Sequence, residues 1–141
     1  MAPATSEFSA GGVVVRDGDC VVIVPTRRAA DGRRVLALPK GHPDGDETPQ
    51  AAALREVREE AGVEARAVEQ LGDVRYFYQR DGMRIAKIVS FFLLEYVAGE
   101  PDEHDDEVEE ARWMPLEEAA KALTYKGERG MAARALERLD R

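Results

Sequence analysis

With 141 residues, 44% of them apolar and 34% charged, the chain has the length of one domain around a single core and the composition of an ordinary soluble protein. Its net charge of -8 argues against nonspecific binding to nucleic acid, DNA included, or to anionic membrane, so a polyanionic ligand must be met by local basic groups or metal ions. The longest apolar run, around Ile88 to Leu94, is broken by Ser90 and too short to span a bilayer. The N-terminus shows no basic-then-apolar leader, and the one cysteine, Cys20, cannot close an internal disulfide. These features point to a reducing, cytoplasmic setting, with Cys20 as a buried strand thiol.

In chain order, Phe8–Val15 (FSAGGVVV) predicts a β-branched strand, and RDGD a hairpin turn into a second strand, CVVIVPT. RRAADGRR is a polar loop, VLALPK a further short strand, and Gly41–Glu47 (GHPDGDE) a loop rich in glycine and acids. Thr48 suits an N-cap, Pro49 the first helical position and Gly62 the left-handed C-cap, so a helix is expected to about Ala61. A long extended segment, Ala67–Gln79, turns at RDG into RIAKIVSFFLLEYV. AGEPDEHDDEVEE follows as an acidic loop without a packing pattern. ARWMP predicts a strand containing a core Trp113, and LEEAAKAL and ERGMAARALERL predict two helices. The pattern predicts an α/β fold, a sandwich around a mixed sheet, with residues 1–141 as one domain.

The first helix raises a question. At about 100° per residue, Leu54, Val57 and Ala61 share one side, and Glu56, Glu59 and Glu60 cluster nearly opposite. Like charges at this spacing repel, and carboxylates near a helix C-terminus oppose the macrodipole. Arg55 is spaced to pair with Glu59, but Glu56 and Glu60 have no basic residue at helical contact spacing. A further carboxylate, Glu47, precedes the helix, and Gly41 and Gly45 allow close backbone approach. Clustered oxygen ligands of this kind suit Mg²⁺ or Mn²⁺.

Gly41, five residues, Glu47, seven residues, then Arg55-Glu56-Val57-Arg58-Glu59-Glu60-Ala61-Gly62-Val63 resembles the signature of the Nudix hydrolases at every position. The flanking strands and Trp113-Met114-Pro115 extend the resemblance over nearly the whole chain. The resemblance implies the Nudix fold, an α/β/α sandwich around a mixed β-sheet, and metal-dependent hydrolysis of a pyrophosphate bond in a nucleoside diphosphate linked to another group. It implies metal ligation by Glu56, Glu59 and Glu60, joined by the Gly41 carbonyl, and an Arg55–Glu47 ion pair bracing loop against helix. It leaves the general base open between a motif glutamate and the acidic loop, where Glu107 is the first candidate, as ligand or base, and Asp106 the second.

For the substrate, LPKGH is similar to the entrance of dinucleoside polyphosphate hydrolases, which implies phosphate contacts for Lys40 and His42. Lys87 on an adjacent strand is a second phosphate candidate, although relatives carry histidine where this chain has Ala86. VRYFYQRDG resembles an aromatic hairpin of that subgroup. Tyr76 and Tyr78 are expected to stack on a base, with at least one of Tyr76, Phe77 and Tyr78 in the core, and Tyr125 is a further stacking candidate. These expectations favour diadenosine polyphosphates. The alternatives are nucleotide-pool sanitising of oxidised dGTP, ADP-sugar cleavage, or a non-enzymatic nucleotide sensor. The only partner expected is a small-molecule nucleotide, with the chain a monomer or homodimer.

Overall fold

A computed structural model describes residues 5–140. Strand β1 (Thr5–Arg16) turns through Asp17 and Gly18, at φ of 50° and 85°, into β2 (Asp19–Pro25). This is the two-residue Asp-Gly hairpin that RDGD predicts. The two strands stay together only at Val15–Cys20 and Arg16–Asp19. Beyond that point β1 runs parallel to β5 (Met83–Gly99), while β2 leaves to pair antiparallel with β6 (Val108–Pro115). A wedge opens between β1 and β2.

The segment VLALPK fills that wedge and is not the single strand expected. Ala37 bridges Ile23 of β2, whereas β3 (Lys40–Gly41) pairs with Ala10 and Gly11 of β1. Pro39 stands at the crossover. It has no N–H with which to continue a ladder, and its carbonyl accepts the Gly12 N–H at 3.2 Å. A Cβ on Gly11 would lie 2.4 Å from the Pro39 oxygen, so only glycine admits this approach.

β4 (Val63–Arg80) and β5 form an antiparallel hairpin longer than Ala67–Gln79 predicts, because register shifts between Glu64 and Gly72 absorb residues that spoil the alternation. The strand order is β4-β5-β1-β2-β6, with β3 on β1. Helix α1 (Pro49–Ala61) begins where predicted: the Thr48 hydroxyl accepts the Ala51 N–H at 3.1 Å, and Gly62 closes the helix at φ 71°. It buries Ala53, Val57 and Ala61 against Val14, Val21 and Leu94 on one sheet face. Helices α2 (Leu116–Ala122) and α3 (Lys126–Leu139) cover the other face, over Leu38, Phe91, Leu93 and Met114. Each fully buried Val or Leu contributes about 1.5–3 kcal/mol, so both layers are held by burial more than by helix propensity. The result is the α/β/α sandwich around a mixed sheet.

Three local expectations need correction. The acidic segment packs after all: β5 continues to Gly99, a 3₁₀ turn (Pro101–Glu103) buries Pro101, and β6 starts at a buried Val108. None of the hairpin aromatics is buried: Phe77 is 59% exposed on the edge strand β4, its ring covered by the Arg84 guanidinium at 3.9 Å. Trp113 is half-buried against the α1-side core and stands edge-on to Tyr96 at 5.4 Å, with the Arg16 guanidinium 4.0 Å from its ring. Among the described residues no helix is long and apolar enough to cross a membrane.

Candidate active site

Arg55, buried to 15% exposure, organises the C-terminal half of α1. Nε and Nη2 donate to Glu47 at 2.9 and 3.0 Å, and Nη2 also donates to the His42 carbonyl at 2.8 Å. Nη1 donates to Glu56 at 2.9 Å and to Glu59 at 3.0 Å. One guanidinium therefore ties the loop carboxylate, the loop backbone and two helix glutamates together, which uses every edge of its planar fork. The Arg55 bond holds the Glu47 carboxyl below the usual range. The expectation that Glu56 lacks a basic partner fails, because the rigid fork reaches its immediate neighbour while bracing the loop.

The glutamates do not form an outward solvated patch either. Glu56 is 13% exposed and lies against Gly41, where an added Cβ would sit 2.2 Å from the Glu56 carboxyl carbon. Burial pushes the Glu56 carboxyl up, Arg55 opposes the rise, and the charges of Glu59 and Glu107 add to it. Glu60 accepts the backbone N–H of Lys40 at 2.8 Å. Burial pushes its carboxyl up to about 8 against that bond, with Glu56 and Asp105 adding to the rise. Glu59 is the exposed member, and its backbone carbonyl accepts the Asp105 N–H at 2.8 Å. Asp105 in turn accepts the Glu107 N–H at 3.1 Å, so the acidic loop clasps the end of α1, and the charge of exposed Glu107 bears on Glu56. Asp106 is exposed and makes none of these contacts.

The residues expected to face substrate lie on both sides of β1. His42 is exposed, with Nδ1 2.9 Å from the Phe8 carbonyl. On the α3 side, Lys87 of β5 sits between Glu7 of β1 and Tyr76 of β4. Lys87 is 8% exposed, and its ammonium is 3.8 Å from Glu7. Burial lowers its pKa, against the Glu7 charge. The Tyr78 hydroxyl bonds to Glu7, and the Tyr76 and Tyr78 rings stand 6.3 Å apart. Tyr76 and Tyr125 are exposed. Lys40 is not a free cation: its ammonium donates to Glu128 at 2.8 Å. An open cleft of about 460 Å³ beside the start of α1, lined by Thr48, Gln50, Gln70, Ser90 and Phe92, holds none of these candidate groups.

Residues 7–135 match the NUDIX domain. The chain belongs to the Nudix family. It is 36% identical to MutT4 of Mycobacterium tuberculosis (strain CDC 1551 / Oshkosh) over 141 residues, covering 96% of this chain and 56% of that protein. It is 31% identical to the NAD-capped RNA hydrolase NudC of Pseudomonas aeruginosa (strain LESB58) over 105 residues, covering 74% of this chain and 35% of that protein. The Nudix chain thus spans little more than half the length of one curated relative and about a third of the other. In fold it is similar to a MutT NUDIX hydrolase from Burkholderia pseudomallei, with a TM-score of 0.74 at 23% identity over 92% of this chain and 98% of that one.

Around the Nudix signature the available groups are all oxygens: Glu56 and Glu59 on Arg55, Glu60 on the Lys40 N–H, and the backbone of Gly41 against Glu56. That chemistry fits a hard divalent cation, and the Glu56 carboxylate lies where a methyl group on residue 41 would stand, so only glycine admits it there. Among the described residues no three acidic, histidine or cysteine side chains converge on one point; Arg55 engages Glu56 and Glu59, and the Lys40 N–H engages Glu60. Sequence reasoning passed over Asp105, Glu7 and Glu128. Asp105 carried the weak signal of its acidic run. Glu7 and Glu128 carried none, because their partners lie far away in the chain.

Proposed function

We propose that this Nudix domain is a pyrophosphohydrolase that cleaves a diphosphate linkage in a nucleoside diphosphate joined to another group. Glu56, Glu59, Glu60 and the Gly41 carbonyl are the groups that would hold Mg²⁺ or Mn²⁺. The observation that carries this reading is the gathering of Glu47, Glu56 and Glu59 around one guanidinium, beside a glycine that no other residue can replace without striking Glu56. A bound divalent ion supplies charge neutralisation of the diphosphate and acidifies a water. The remaining work falls to the chain itself. Arg55 sets the orientation of Glu56 and Glu59 and pins the loop through Glu47 and the His42 carbonyl. Glu107, exposed and with its charge bearing on Glu56, accepts the proton of the attacking water or joins the ligand set. Among the described residues the Lys87 ammonium has one acidic neighbour, Glu7 at 3.8 Å, beyond hydrogen-bond reach, which suits a phosphate oxygen.

Diadenosine polyphosphates remain the proposed substrate, because Lys87 and Tyr76 share the α3 side of the sheet with Tyr125, a cation for the phosphate chain beside aromatic rings for a base. The MutT4 name favours the second reading, a mutagenic nucleoside triphosphate such as oxidised dGTP. The test is a panel of dinucleoside polyphosphates, nucleoside triphosphates, ADP-ribose and NAD-capped RNA, assayed with Mg²⁺ and again with excess chelator, with products identified by mass. Cleavage that persists in chelator rejects the metal-dependent mechanism. Preference for an oxidised triphosphate over every dinucleoside substrate transfers the assignment to the second reading.

A further inference from the structure

The segment that leads into the signature is held from the far end of the chain. The Leu36 N–H donates to the Thr124 hydroxyl at 2.8 Å, and the Thr124 N–H donates back to the Leu36 carbonyl at 2.9 Å. Two residues on, the Leu38 N–H donates to Glu128 Oε1 at 2.7 Å, and after two more the Lys40 ammonium reaches Glu128 Oε2 at 2.8 Å. Glu128 is 4% exposed and sits in the first turn of α3, where the helix dipole favours an anion. Next to it, a Cβ on Gly127 would lie 2.4 Å from Val74, so α3 is pressed onto β4 and cannot slide. A buried carboxylate is retained only with full compensation, and besides the helix dipole Glu128 takes it from the Leu38 N–H and the Lys40 ammonium.

Lys40 is the pivot. Its side chain is fixed by Glu128, its backbone N–H holds Glu60, and the next residue is Gly41, against which Glu56 packs. We propose that Glu128 is a positioning residue for the cation site, acting through Lys40 to set the direction of the Lys40 N–H and with it the orientation of Glu60. The inference rests on the assignment of Glu56, Glu59 and Glu60 as cation ligands. Lysine has three ammonium hydrogens, and those on Lys40 reach Glu128 and, at 3.4 Å, the Leu38 carbonyl. The pair therefore holds the ammonium in place and leaves a donor over.

The experiment is a titration of the full chain with Mn²⁺ alone, reading free ion by electron paramagnetic resonance, for the wild type, Glu60→Gln, Glu128→Gln and the double variant. Glu128→Gln keeps an oxygen for the Leu38 N–H and nearly the same volume, but removes the charge that holds Lys40. It is expected to weaken Mn²⁺ binding about tenfold, the range for partners that orient a ligand, while the melting midpoint in chelator moves little. The double variant should bind no more weakly than Glu60→Gln alone, since both changes act on one ligand. A purely structural Glu128 would shift the melting midpoint and leave Mn²⁺ affinity alone. Wild-type affinity in Glu128→Gln, or additive losses in the double variant, overturns the proposal. If Glu128→Gln does not fold, the neutral pair Lys40→Met/Glu128→Gln replaces it, and wild-type Mn²⁺ affinity there overturns the proposal equally. A wild type that binds no Mn²⁺ defeats the ligand assignment and this proposal together. Weakening in Glu60→Gln without weakening in Glu128→Gln defeats the proposal alone.

Discussion

Replacing Arg55 by alanine tests the site where its electrostatics are most concentrated. The substitution removes the guanidinium shared by Glu47, Glu56 and Glu59. Glu59 is nearly half exposed and regains water, so it adds little to the cost. Glu47 and Glu56, at 17% and 13% exposure, are left without their counter-charge. Stripping one partner from a fully buried pair costs about 3–5 kcal/mol, and the partial exposure here places the loss near the bottom of that range, about 3 kcal/mol. For a chain of this size that is a fall of roughly 10 °C in melting midpoint. The assay is thermal unfolding in chelator, because a cation bound only by the native state would mask part of the loss. Arg55→Lys should recover little, since an ammonium cannot serve Glu47, the His42 carbonyl and two glutamates at once. Activity should fall with stability in both variants. A midpoint within about 2 °C of wild type would show that the guanidinium contributes no net bracing.

Other outcomes follow from single contacts. Gly41→Ala should weaken Mn²⁺ binding by at least about tenfold while the helix content stays unchanged, because its methyl group displaces the Glu56 carboxylate; unaltered affinity by titration would mean that Glu56 is not a ligand. Lys87→Ala should slow hydrolysis of diadenosine tetra- to hexaphosphates more than that of ADP-ribose, read as the ratio of kcat/KM values, and an equal loss on both would remove Lys87 from phosphate recognition. Burial pushes the Cys20 thiol up to about 12 from 9.0. The native thiol therefore stays protonated where the unfolded one ionises, so its contribution to stability is complete below pH 9 and is lost as pH rises from there toward 12. At pH 8 native protein should resist iodoacetamide and denatured protein should not, and stoichiometric labelling of the native chain would contradict the burial.

Much of α1 was legible because its signals are local. Thr48, Pro49 and Gly62 act within a turn of the helix ends, and the glutamates follow from helical spacing. The Asp17-Gly18 turn was legible for the same reason. What escaped was decided by partners distant in sequence. Pro39 divides VLALPK between two strands because each half finds a different neighbour, and no window of the sequence contains either one. Glu60 looked unpaired because its donor is a backbone N–H, which has no residue type to read. Lys40 looked available for phosphate because Glu128, which occupies it, lies in the last helix. The aromatic hairpin misled in another way: period-two alternation names two faces but cannot say that both stay open on an edge strand.

The stack of Arg16, Tyr96 and Trp113 stands at the narrow end of the wedge, where β1 and β2 part and where these two strands separate β5 from β6. Trp113 is the chain's single tryptophan, and its indole nitrogen is buried with no hydrogen-bond partner among the described residues. The protein therefore carries its own optical gauge, placed at the narrow end of the wedge. Emission from this indole reports whether the two halves of the sheet remain closed on each other, and it does so from the strands, not from the glutamates of the first helix. Events confined to the acidic corner leave its colour unchanged, and a red shift during unfolding marks the moment the seam comes apart.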